Sequence, residues 1–216
     1  MKKIVLSFVL TLVCSIIVAQ ETSLKFLGIP VDGTKKEFFE QLKKKGFEVT
    51  EYEGNMFAEG EFNGKNSIIT VRTVNRMIDR VVVQWGEYMS EGQIKIAYNN
   101  LVRQFEKNDK YVSEDEQYLP EDEDLGYEMT VHDKQYQASF YLSEEVEALT
   151  EKAIEFMKAN PEYESMDESE LRKFVVDMME KGLNSVVWFT LDQRIDEYKI
   201  IMFYDNMKNS ASGDEL

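Results

Sequence analysis

The chain has 216 residues, with 41 acidic against 25 basic side chains, a formal net charge of −16, one cysteine and one histidine. Such an anionic surface repels phosphate backbones and anionic headgroups, which sets nucleic-acid and membrane-surface binding aside. A single thiol and a single imidazole exclude disulfide staples and Cys/His zinc sites, and leave His132 as the only histidine any mechanism could use.

Lys2 and Lys3 precede an apolar run, Ile4 to Val18, that breaks at Ala19-Gln20-Glu21. That pattern predicts a signal peptide over 1–19, too short to span a bilayer. Cutting after Ala19 removes Cys14 and two lysines, taking the net charge to −18. Leu12 and Val13 are not the small residues that a lipidated Cys14 would follow, so a soluble periplasmic or extracellular product is expected instead of a lipoprotein. The remaining chain is long enough to bury roughly 70% of its unfolded surface without staples. It also lacks any Asn-x-Ser/Thr acceptor, and an exported bacterial protein fits both absences.

The elements follow in chain order. Phe26 to Ile29 reads as a short strand before a Pro30–Gly33 turn. Thr34 and Glu37 form a capping box for a helix with Phe38, Phe39 and Leu42 on one face, stopped at Gly46. From Phe47 the period becomes two. Asn63-Gly64 is a hairpin signal, since both residues accept positive φ, and a four-stranded meander runs to Trp85. Ser90 and Gln93 cap a second helix with an Ile94, Ala97, Tyr98, Leu101, Val102, Phe105 stripe. A short strand near Tyr111 leads into Glu114–Asp124, an acidic stretch with Pro120 that reads as an exposed loop.

Tyr127, Met129 and Val131 alternate with Glu128, Thr130 and His132, so a hairpin is expected that turns at Asp133-Lys134 and returns through Tyr136 to Leu142. Ser143 is expected to cap a third helix ending at Asn160-Pro161. Asp167 and Glu170 open a fourth, with Leu171, Phe174, Val175 and Met178 inward and Met166, Met178 and Met179 as core filler. Ser185–Leu191 and Ile195–Tyr204 close the fold as strands apolar on both faces, hence central.

The expected class is α+β, an antiparallel sheet of meander plus hairpins packed against about four helices. A single domain over 20–208 is expected, with 209–216 a frayed tail. At an offset of 118, Ser67–Met89 matches Ser185–Met207 without gaps, placing Arg76 on Arg194 and Glu87 on Asp205. That echo raises the alternative of two similar lobes, about 24–107 and 108–208.

No nucleophile elbow, His-Glu-x-x-His pair, Walker loop or dinucleotide fingerprint occurs. Asp122-x-Asp124-x-Gly126 departs from an EF-hand in glycine spacing and at its twelfth position, so no metal or cofactor is expected. His132 reads as an exposed strand residue. Tyr52, Tyr88, Tyr118 and Tyr163, lying off the core stripes, are the candidate partner contacts, with Glu114, Asp115, Glu116, Glu121, Asp122, Glu123 and Asp124 as an acidic rim that steers cationic partners. The expected function is a non-catalytic module binding a protein or envelope component through one sheet face. The alternative is a small glycan hydrolase with two carboxylates.

Phe26-x-Gly28-Ile29-Pro30 with Asp32-Gly33-Thr34, Gly60-Glu-Phe-Asn-Gly64, Tyr98-Asn-Asn-Leu101, Gln104-Phe105-Glu106 and Tyr127–His132 resemble small secreted proteins of Bacteroidetes-type bacteria over about residues 24–142. A capped helix feeding a four-stranded meander is also similar to the β-lactamase-inhibitor-protein and outer-membrane assembly lipoprotein folds. Those likenesses imply a fold and a binding role by analogy, and no functional residue.

Overall fold

The computed structural model describes residues 23–113, 117–160 and 166–210, so the expected signal peptide, the 211–216 part of the tail, Glu114–Glu116 and Tyr163 lie outside the described residues. The chain is α+β: the described residues form a two-stranded ribbon, an eight-stranded antiparallel sheet and five α-helices. The ribbon is β1 (Lys25–Phe26) and β2 (Ile29–Pro30). Helix α1 (Lys35–Lys44) follows, with the Thr34–Glu37 capping box formed and Phe38, Phe39 and Leu42 buried. Strands β3 (Glu48–Tyr52), β4 (Asn55–Phe62), β5 (Lys65–Val74) and β6 (Met77–Met89) make the expected meander. Asn63 and Gly64, at φ 48° and 73°, form its sharp turn.

Helix α2 (Glu91–Glu106) carries the Ser90–Gln93 capping box and buries Ile94, Tyr98, Leu101 and Val102. Strand β7 (Tyr111–Ser113) precedes α3 (Leu125–Val131), then β8 (Gln137–Leu142), α4 (Ser143–Ala159) and α5 (Glu168–Gly182). Strands β9 (Ser185–Arg194) and β10 (Glu197–Asn206) close the sheet, whose order is β3-β4-β5-β6-β10-β9-β8-β7.

Three expectations change here. Tyr127 to Val131 is helical, because Asp124 accepts from the Tyr127 N–H at 2.8 Å and caps a turn that strand alternation had masked. His132 therefore sits at a helix C-terminus, bonded through Nδ1 to Glu128 at 2.8 Å, and not on a strand. Leu142 occupies the N-cap of α4, so β8 runs straight into the helix while the Ser143 hydroxyl donates to the Asp109 carbonyl. Finally, α5 has no fully buried side chain among its described ones: Phe174, Val175, Met178 and Met179 are half-buried, and Phe156 stacks on Phe174.

A helix followed by four antiparallel strands thus occurs twice. The second copy has α3 inserted after β7, and α4 with α5 inserted after β8. The gapless echo is not the structural equivalence. Ser67 pairs with Trp85, but Ser185 pairs with Asn206 and not Phe203. Trp85 also faces the core, whereas Phe203 faces the opposite side.

One continuous core gathers α1, α2, the ribbon and the inward residues of β4 to β10. Its aromatic centre includes Phe105, Phe140 and Phe189, with Tyr98 set edge-on to Phe189 at 4.9 Å. All of it lies on one side of the sheet. Strand alternation then leaves Ile68, Thr70, Val82, Gln84, Ile201, Phe203, Trp188 and Thr190 on the other side, half-buried and outside that core.

Candidate functional site

The open face is organised by register. One transverse row runs Glu59, Ile68, Gln84, Ile201, Thr190, Gln137 across β4, β5, β6, β10, β9 and β8. The next runs Thr70, Val82, Phe203, Trp188, Ser139, and a third runs Arg72, Arg80, Asp205, Val186, Tyr141. The rows therefore grade from apolar and aromatic in the middle to charged at one end.

Trp188 and Phe203 stack with centroids 3.9 Å apart and planes at 15°. The Arg80 guanidinium lies over both rings, at 5.5 and 5.1 Å. Asp205 holds the group together: it takes Arg80 through both oxygens, with Nη2 to Oδ2 at 2.6 Å, and accepts the Trp188 Nε1–H at 2.8 Å. A bulge between Arg72 and Thr73 leaves Asp79 without a cross-strand partner, fully buried, with Arg72 donating Nε to its Oδ2 at 2.8 Å. The other oxygen, Oδ1, has no partner among the described residues. That hydrogen bond to Asp79 holds the Arg72 guanidinium even more firmly protonated than usual.

At the far end, the Tyr88 hydroxyl donates to Asp192 Oδ2 at 2.5 Å while Lys199 Nζ sits 4.6 Å over its ring, and the bond to Asp192 pushes the phenol's pKa up. Tyr88 thus borders the open face. Tyr52 is two-thirds exposed at the end of edge strand β3. Tyr118 lies elsewhere, bonded to Glu106 under the Arg103 guanidinium against α2.

The described acidic loop residues are more tightly held than a solvated rim. Leu119 is buried, with its N–H and carbonyl both taken by Asn99. Glu121 and Glu123 give their carbonyls to Lys95, and the Glu123 side chain accepts from Lys134 and Tyr136, which holds its carboxyl below the usual range. Asp124 is spent on the α3 cap and Asp122 is exposed. Gln117 accepts the Ser139 N–H, so this loop follows the β8 edge and the outer side of α2. It does not gather with Tyr52 and Tyr88.

Among the described residues no group of three His, Cys, Asp or Glu side chains could hold a metal, and no helix is long and apolar enough to cross a membrane. Two grooves on the helix side, beside α2, are lined among the described residues by no aspartate or glutamate, the pair a retaining or inverting hydrolase needs.

Trp188, Phe203 and Arg80 were not singled out by sequence because β9 and β10 read as apolar on both faces. The signal was there: Trp188, Thr190 and Asp192, like Phe203, Ile201 and Lys199, mix large rings with polar groups on one face, as interface centres do. No family model, curated protein or solved structure matches the chain.

Proposed function

We propose that the chain is an exported, non-catalytic binding module of the bacterial envelope, and that the open sheet face docks a protein presenting apolar side chains flanked by basic groups. The observation that carries this is the Trp188–Phe203 stack, clamped by Arg80 and Asp205 on a sheet face that carries no part of the main core. Tryptophan and arginine held rigid in this way resemble binding hot spots, because little side-chain freedom remains to be lost on association. The net charge of −16, with Glu59 in the first transverse row, Glu48 paired to it and Asp192 beyond Thr190 on the same face of β9, supports a basic fringe on the partner. The analogy with inhibitor-protein folds supports the same class of function at the level of fold alone.

The test is site-specific photo-crosslinking in the producing cell. A probe at Thr70 or Gln84 gives one discrete protein adduct, a probe at Lys36 on α1 does not, and Trp188→Ala abolishes the adduct while the variant stays folded. Equal labelling from both sides of the sheet, or an adduct indifferent to Trp188, removes the proposal.

A further inference from the structure

The sheet has two edges, β3 and β7, and the fold treats them differently. The β7 edge is three residues long, with α4 packed beside it. Just before that strand, the Ser143 N–H and hydroxyl donate to the Lys110 and Asp109 carbonyls. The β3 edge, Glu48–Tyr52, is five residues long and follows β4 in unbroken register from Glu48↔Glu59 to Tyr52↔Asn55. It holds no lysine, proline or bulge, the usual guards against a further strand.

Register fixes which backbone groups point outward. Glu53 and Gly54, at φ 49° and 79°, form a two-residue turn, so Tyr52 and Asn55 exchange hydrogen bonds at its mouth. Alternation then spends Thr50 and Glu48 on β4, and turns the N–H and C=O of Val49 and Glu51 away from it. No other strand or loop backbone meets those outward groups among the described residues.

The side chains along this edge select the partner. Glu48 stands directly opposite Glu59 on the open-face side, and no basic side chain bonds to either among the described residues. Like charges so placed repel, and a cation beside them relieves the repulsion. Tyr52, on the same side as Glu48, is 66% exposed, and its ring suits the head of a lysine or arginine. Val49, on the other side, is half-buried against the core, where an apolar neighbour fits.

We propose that the β3 edge pairs with an extended segment of a basic protein, which adds a further strand to the sheet. Its backbone meets Val49 and Glu51. Its lysines or arginines fall on the side of Glu48, Glu59 and Tyr52, and its apolar residues on the side of Val49. A second copy of this chain fits less well. Two such edges would set Glu48 and Glu51 of one against those of the other, in a chain already at −16. The site uses backbone at the rim of the sheet and does not rest on the docking role of the open face.

The test is hydrogen exchange read by 15N NMR, with an acetylated and amidated heptapeptide of alternating lysine and valine as the probe. Two control peptides carry glutamate in place of lysine, or N-methyl groups on the valines, whose N–H groups would face β3. In the free protein the Val49 and Glu51 amides exchange fast and the Thr50 amide slowly. The lysine peptide slows Val49 and Glu51 at least about tenfold, and both controls bind at least about tenfold more weakly. Glu51→Pro removes an outward donor that β4 does not use, and abolishes the slowing at Val49. Glu48→Gln weakens it, and Trp188→Ala leaves it unchanged. Slow exchange at Val49 and Glu51 without peptide, no slowing with it, or an equal response to the N-methylated peptide overturns the proposal.

Discussion

At the scale of single residues, the open face is organised by two arginine–aspartate pairs in different settings. Asp79 is fully buried and relies on Arg72, itself half-exposed, while Asp205 serves Arg80 and Trp188 together. Removing Arg72 strands a buried carboxylate, so Arg72→Ala costs roughly 3 kcal/mol in urea unfolding, and Arg72→Ala with Asp79→Leu recovers most of it. A loss confined to the double variant would show that the pair was not coupled. Glu123 tests the pinned loop. Its folded pKa lies below the unfolded value because Lys134 and Tyr136 donate to it, so its contribution is present above the unfolded value and lost as pH falls through the folded one. In Lys134→Met, carboxyl NMR finds Glu123 titrating at higher pH, and no movement would deny that the loop is held there.

At the scale of elements, capping and turn chemistry were legible in the sequence because they are local. Thr34–Glu37, Ser90–Gln93 and Asp167–Glu170 all form as capping boxes, and Asn63-Gly64 forms the turn. The seven residues Leu125–Val131 fit a strand's alternation as well as two helical turns, and only the Asp124 cap decides between them. The open face was illegible for a different reason: alternation says which residues share a face, not which face carries the main core. Two glycines separate space from conformation. A Cβ on Gly60 would stand 2.6 Å from Phe47 Cδ1, whereas Gly64, at φ 73°, has nothing within 4 Å. Gly60→Ala therefore displaces a core ring and costs about 2 kcal/mol, against about 1 kcal/mol of backbone strain for Gly64→Ala. Denaturant midpoints in the reverse order would contradict the packing of Phe47 against β4 at Gly60.

At the scale of the whole molecule, a sheet eight strands wide keeps its main core on one side and leaves the other half-buried, outside that core. That core holds Tyr98 and Tyr204, whose phenols burial pushes well above the ordinary value. The unfolded chain releases those protons first, so stability is full below about pH 10 and falls above it. Thermal unfolding midpoints that stay flat from neutral pH into that range would contradict the burial. The proposed docking role requires that the sheet's second face be free in the isolated protein and covered when a partner is present. Carbene footprinting addresses this directly, with Trp85 as the internal buried reference at 5% exposure. Trp188 and Phe203 are expected to label in the purified protein and to be protected when envelope extract is added at low salt. Unlabelled rings in the purified protein, or labelling unchanged by the extract, would contradict it.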